Sequence, residues 1–198
     1  MTRHIAVLTV AAAALFSVLA TAAGAALIHV RVEGKTATIF GAAEPRGMAT
    51  TALGALEAAS IGGEFYYHVT ASSFGNYVDQ VGRFPGAADS GWVFKVNGVS
   101  PPVGADKVTL ADGDVVLWYY ATFGATGGPS TLLLSRAPGG CYGVKSLDDT
   151  GKATVPTGAR LVVDGRSVET NTGVGCPGAH RGPVRAVAPG AVRSNSLR

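Results

Sequence analysis

The sequence predicts an α+β fold followed by a smaller all-β unit, and three observations carry that reading. Helical periodicity appears in one segment only, residues 48–60 (MATTALGALEAAS), whereas period-two alternation recurs on both sides of it. Gly supplies 28 of the 198 residues and Pro another 10, too many turn formers for a coiled coil or a bundle of long helices. Hydrophobic residues reach 47% and charged residues only 15%, which supports a packed core and excludes a disordered tail.

The elements follow in order. Residues 1–25 read as a secretory signal peptide: Arg3 and His4 precede the uncharged run IAVLTVAAAALFSVLA, and small residues follow it, with cleavage expected near Ala22 to Ala25. No later stretch approaches the roughly 20 apolar residues of a membrane span, so none is expected after cleavage. In residues 27–33 (LIHVRVE), Ile28, Val30 and Val32 alternate with polar positions, the pattern of a half-buried strand. Gly34-Lys35 reads as a turn into a second strand at 36–40. The helix follows, capped by Thr50 or Thr51, with Met48, Ala52, Ala55, Leu56 and Ala59 on one face, and Gly62-Gly63 stops it. Residues 65–70 (FYYHVT) form a third strand. A long connection runs to Ser90. It contains Ser72, Ser73, Asn76 and Tyr77, with a short strand or turn around Tyr77, and reads as a surface insertion.

Residues 91–97 (GWVFKVN) place Trp92, Phe94 and Val96 inward and Val93, Lys95 and Asn97 outward. Asn97-Gly98 is a hairpin turn signal, because both residues tolerate positive φ. A short strand at 107–110, a turn at Asp112-Gly113-Asp114 and an apolar strand at 115–123 (VVLWYYATF) complete this half. The order places one helix on one face of a mixed sheet, an α+β arrangement of the β-grasp kind. Residues 125–130 are a linker, and 131–198 carry short β runs at 131–135, 152–155, 160–163, 168–170 and 184–187 between polar turns, a small β-sandwich. The last residues, 195–198, read as a strand cut short or a frayed end. The domain reading is therefore leader 1–25, β-grasp-like domain 26–124, linker 125–130 and sandwich-like domain 131–198.

Charge divides at the same boundary. Residues 26–125 hold six Lys/Arg and nine Asp/Glu, and residues 126–198 hold nine and four. The basic residues of the second half are scattered and lack interleaved aromatics, so no nucleic-acid partner is expected. Cys141 and Cys176, an even count in a chain read as secreted, are expected to form one disulfide. Cys176 and His180 fall short of the four-ligand set of structural zinc, and no metal site is expected.

The stretch GWVFKVNGVSPPVGADKVTLADGDVVLWYY resembles the C-terminal β-domain of transcobalamin and intrinsic factor, and within that group the bacterial transcobalamin-like C-terminal domains of unknown function. The residues that carry it are Gly91-Trp92, Val96-Asn97-Gly98, Val103-Gly104-Ala105, Asp112-Gly113-Asp114 and Trp118, over about residues 26–123. The resemblance implies a β-grasp module akin to soluble ligand-binding β-grasp domains, and carries over cobalamin as a candidate ligand. In the animal carriers a large helical domain clamps the cobalamin and supplies the histidine that meets cobalt. This sequence contains no such domain, and His29, His68 and His180 match no ligand histidine. Residues 131–198 resemble, far less specifically, immunoglobulin-like or carboxypeptidase-regulatory-like sandwiches.

No nucleophile elbow, zincin helix, Walker loop or dinucleotide fingerprint is present, so the expectation is a non-enzyme with no required cofactor. Asp106, Asp112 and Asp114 read as turn carboxylates, and their spacing is not that of an EF-hand. With Trp92 and Trp118 facing the helix and Asn97-Gly98 holding the turn, the opposite sheet face would carry Tyr66, His68, Lys95 and Tyr119. Such a face stacks on a flat or sugar-like ligand if open, and does nothing of the kind if the second half covers it. The functional expectation is a secreted or cell-surface binding or display module whose partner is a small molecule, an extracellular protein or a wall component. The alternative is a purely structural or interaction module without a small ligand.

Overall fold

A computed structural model describes residues 24–72, 75–125 and 127–198 of this protein. The leader expectation falls outside these residues except for Gly24 and Ala25. The chain begins with β1 (Ala26–Glu33), β2 (Thr38–Phe40) and β3 (Arg46–Ala49), then α1 (Ala52–Gly63). A tight group of strands follows: β4 (Tyr67–Ser72), β5 (Gly75–Val81) and β6 (Phe84–Pro85). Then come β7 (Ser90–Val96) and β8 (Val115–Thr122). The remainder is β9 (Thr131–Ala137), β10 (Cys141–Leu147), β11 (Ala153–Thr154), β12 (Arg160–Val163), β13 (Arg166–Glu169), β14 (Val174–Gly175), β15 (Val184–Val187) and β16 (Ser196–Leu197).

The α+β, β-grasp expectation does not hold. Among the described residues, sixteen strands in four sheets stand against one helix of 12 residues, and the architecture is an all-β sandwich. The physical reason lies in two segments. Residues 65–70 were expected as a strand of the helix-bearing sheet and residues 71–90 as a connection, but β4, β5 and β6 pair with one another as a separate sheet. The face of the first sheet away from the helix, which the sequence left either open or covered, is packed on the second half. On β1, Val30 and Val32 are buried on one face and Arg31 and Glu33 on the other. A sheet buried on both faces is an inner layer, and the short helix is an accessory to it.

The first sheet has the order β2-β1-β8-β7, with β3 also paired to β1, and β1 runs parallel to β8. Its helix side is filled by Ile28, Val30, Val32, Val116 and Trp118, against Ala52, Ala55, Leu56 and Ala59. Small side chains let the helix lie close, and Trp118 donates its indole N–H to the carbonyl of Ala52 at 3.0 Å. Thr51 is the N-cap, its hydroxyl accepting from the Gly54 amide at 3.1 Å. Two details differ from expectation. Met48 belongs to β3 and is exposed, because pairing with Leu27 holds it in a strand. The helix also runs through Gly62 and Gly63 and ends at Glu64, in the left-handed conformation at φ 51°. The expected strand at 107–110 is reduced to one bridge between Thr51 and Thr109.

In the second half, β9, β10, β11 and β14 form one sheet and β12, β13, β15 and β16 another. Leu132, Leu134, Tyr142 and Val144 of the first face Leu161, Val163, Val184 and Ala186 of the second, alternating along each strand as two-layer packing requires. Cys141 and Cys176 are disulfide-bonded. They tie β10 to the segment after β14, beside the pairing of Tyr142 with Gly175.

The two halves meet over the far face of the first sheet. Leu117, Tyr119 and Ala121 of β8 form a buried cluster with Val93 and Val192. At one end of this seam Glu33 is fully buried and bonded to Arg185. It also meets Arg193 at 3.0 Å, Arg31 at 3.2 Å and the Thr38 hydroxyl at 3.0 Å.

Candidate functional site

The four residues expected to share one sheet face, Tyr66, His68, Lys95 and Tyr119, are split by the fold. Tyr119 is 2% exposed and Lys95 is wholly buried, both under the second half. The Lys95 ammonium donates to the Asp148 carbonyl at 2.8 Å, the Leu147 carbonyl at 3.2 Å and the Thr131 hydroxyl at 3.4 Å, and lies 3.5 Å from the Asp149 carboxylate. Burial lowers its pKa, opposed by the charge of Asp149. Burial also pushes the Tyr119 hydroxyl up to about 12, with the charge of Asp149 acting in the same direction and a hydrogen bond with Ser100 against it. Lys95 and Tyr119 are thus seam residues, closed to a ligand on that face. Their outward alternation was legible in the sequence, but what lies beyond it was not.

Tyr66 and His68 sit elsewhere, on the exposed hairpin of β4 and β5 and the residue before it. Tyr66 stacks beside His68 with ring centroids 6.5 Å apart. His68 Nδ1 lies 2.7 Å from Asp79, and Thr70 donates to the other oxygen of that carboxylate at 2.6 Å. The Thr70 hydrogen bond and then His68 hold the Asp79 carboxyl below its ordinary value. These residues share no cavity with Lys95.

Trp92 and Trp118 are buried in one core. Trp118 stacks on Phe94 at 5.1 Å, and Trp92 meets Tyr120 edge-on at 5.6 Å while donating to the Phe84 carbonyl at 2.8 Å. Asn97 and Gly98 turn the chain with φ of 52° and 84°. The Asn97 side chain bridges to Asp114 and to the Val115 amide. Asp114 accepts from the Ala111 amide within its own turn, whereas Asp112 accepts from the Leu27 amide at the start of β1, so both carboxylates are spent on backbone.

An aromatic-lined groove of about 280 Å³ lies at the other edge of the sheet, between β7, β5 and the loops at 100–105 and 123–128. Its floor is aromatic, built from Trp92, Phe94, Trp118 and Tyr119. Tyr77 and Phe123 stand at its mouth, 52% and 44% exposed. Polar atoms come from Asn76, Ser100 and Asp149. The Ser100 amide donates to the Asp149 carbonyl at 2.8 Å and its hydroxyl to the Asp149 carboxylate at 3.1 Å, which fixes the acid at the rim.

The backbone of β7 adds to this. β7 is an outer strand, paired with β8 alone. Ser90 and Val96 turn their N–H and C=O groups away from β8, toward Ala87 and Val99. Antiparallel strands alternate these directions residue by residue, so Trp92 and Phe94 aim theirs the same way, along an edge with which no strand of the described residues pairs. A ligand in the groove meets rings, backbone donors and acceptors, and one carboxylate. Sequence reasoning singled out Asn76 and Tyr77 but took them for surface insertion, and it passed over Phe123, Ser100 and Asp149. The exposed aromatics Tyr77 and Phe123 were the available signal. Ser73 lies outside the described residues.

Among the described residues no cluster of three or more His, Cys, Asp or Glu is placed to hold a metal ion, and no helix is long and apolar enough to cross a membrane.

Comparison with known proteins adds a family match over part of the chain. Residues 49–122 match the model of a family described as a domain of unknown function, DUF4430. No curated protein matches the chain. Among solved structures, one from Ruminococcus gnavus described as a "putative metal binding protein" matches with 15% identity and a TM-score of 0.37, covering 49% of this chain and 97% of that one. The family match takes in α1, β7, β8 and most of the groove, and its description names neither ligand nor activity.

Proposed function

We propose that this protein is an extracellular, non-enzymatic binding module whose ligand site is the groove beside β7. Residues 26–124 carry most of the site, and residues 131–198 buttress it from behind and supply Asp149 at its rim. The observation that carries the reading is the combination of an aromatic floor with the uncovered edge of β7 at Trp92 and Phe94. Apolar concavity with a few fixed polar groups is the usual make-up of a small-molecule site. The disulfide supports an oxidising compartment outside the cytosol.

Cobalamin, the ligand the transcobalamin-like resemblance carries over, is the first probe. The aromatic floor suits stacking on part of the flat corrin, and a groove of about 280 Å³ would take only an edge of it, with its amide fringe left to Asn76, Ser100 and the β7 backbone. The test is calorimetry and visible spectroscopy of the protein with cobalamin at about 100 μM, which registers any Kd near or below that value. Binding that Tyr77→Ala and Phe123→Ala both weaken supports the site. No heat and no spectral change removes cobalamin.

A second reading, a structural or interaction module with no small ligand, draws support from the covered face. Lys95 and Tyr119 serve the seam between the two halves, and nothing about that seam requires a ligand. Failure of the groove to bind any small molecule in a fragment screen by NMR would favour it.

A further inference from the structure

The groove has a sign. Among the described residues that line it, Asp149 is the sole ionised side chain, and Lys, Arg and His are absent from the lining. The nearest cation, Lys95, lies behind the wall, hydrogen-bonded to Thr131, Leu147 and Asp148 and ion-paired from behind with Asp149 Oδ1, which leaves Oδ2 toward the groove. The Asp149 side chain is 54% exposed. Its Oδ1 takes Ser100 and Lys95, and its Oδ2 has no partner among the described residues. Around it stand aromatic rings, whose faces carry negative potential and attract cations. An anionic ligand would meet the Asp149 carboxylate at the mouth, while the nearest cation, Lys95, is buried behind Asp149 Oδ1 at 3.5 Å and cannot touch the ligand, so the anion would lose its hydration without a cationic contact.

We propose that the groove binds a small organic cation of the quaternary-ammonium class, held among Tyr77, Phe123 and the floor rings with its charge toward Asp149. This rests on the small-ligand reading of the groove and adds the chemical class. Rings supply the apolar contact and the cation–π attraction, and the carboxylate supplies long-range attraction at the mouth. A quaternary ammonium needs no hydrogen-bond partner, which suits a floor without free side-chain acceptors.

The experiment compares choline with 3,3-dimethylbutan-1-ol, its uncharged isostere, by NMR titration and tryptophan fluorescence at concentrations up to about 10 mM, enough to register a millimolar Kd. Choline is expected to bind about tenfold more tightly than the isostere, the scale of a partly desolvated cation–π contact. Asp149→Asn is expected to remove most of that difference. Tyr77→Leu and Phe123→Leu, at exposed rings, are expected to weaken choline while leaving the isostere nearly unchanged, and thermal melts of each variant check the fold independently. Equal binding of the two probes, or a choline affinity that ignores both Asp149→Asn and the ring substitutions, overturns the cation assignment and leaves the groove reading standing. Absence of binding by either probe, together with absence of cobalamin binding, overturns both.

Discussion

Replacing Lys95 with Ala tests the seam directly. The ammonium is fully buried and joins β7 to the segment after β10 through two carbonyls and a hydroxyl. Removing it leaves the Leu147 and Asp148 carbonyls and the Thr131 hydroxyl short of a donor and opens space beneath Leu117. Leaving buried acceptors without their donor costs about 1–3 kcal/mol, and the cavity left by truncating the stem brings the total to about 3–5 kcal/mol. A chain of this size loses about 2–4 °C of Tm per kcal/mol, so the melting midpoint should fall by roughly 6–20 °C. Lys95→Met keeps most of the stem volume and loses only the donor. It should cost about 1–3 kcal/mol, the scale of leaving buried polar groups unsatisfied. Circular dichroism melts and urea titrations read both. A Lys95→Ala change within about 0.5 kcal/mol of wild type, the size of an ordinary surface substitution, would refute the argument, because it would mean that the second half does not cover this face.

Three other outcomes follow from the same geometry. Tyr119 has its pKa raised to about 12 in the folded protein, against 10.0 as its ordinary value. A raised folded pKa gives stability that is intact below pH 10 and drains away as the pH climbs toward 12, because the unfolded chain ionises first. The loss is on the order of 2–3 kcal/mol, and Tyr119→Phe should flatten that alkaline decline in urea titrations across the window; an unchanged slope would contradict it. Opening the Cys141–Cys176 bond, either with reductant or as the double Ser variant, should cost about 2–4 kcal/mol by freeing a 35-residue separation in the unfolded chain, read as a lower urea midpoint. Gly98 has φ of 84°, and a Cβ there would sit 2.8 Å from the Leu147 side chain. Gly98→Ala should therefore destabilise by about 1–3 kcal/mol, whereas Gly91→Ala, with nothing within 4 Å of its added carbon, should be near neutral in the same melt.

Local structure was written plainly in the chain wherever one physical rule dominated. Alternation in LIHVRVE and GWVFKVN is realised as β1 and β7, because period two is enforced by the pleat itself. Asn97-Gly98 turns where its tolerance of positive φ allows. Elements that owe their existence to a partner were hard to read. β10 (CYGVKSL) lacks a clean apolar stripe and is a strand because β9, β11 and β14 all pair with it. Met48 reads as helix by spacing and is strand by pairing with Leu27. The groove was half legible: Asn76 and Tyr77 stood out in a long connection, but Ser100 and Asp149 meet across 49 residues only when the second half docks.

What the amino-acid order determined alone is the local vocabulary: strand periods, one Ala-rich helix capped by Thr50 or Thr51, turn positions and a disulfide pairing forced by having two cysteines. Tertiary structure decided which surfaces face which. The sequence marks Lys95 and Tyr119 as facing away from the helix, yet only the docked second half turns that face into an interior and sends the ligand-accessible surface to the edge of β7. The reason is that alternation specifies the side of a strand on which a residue lies and carries no information about what is packed there. That information resides in contacts between residues far apart in the chain, such as Lys95 with Asp148 and Glu33 with Arg185.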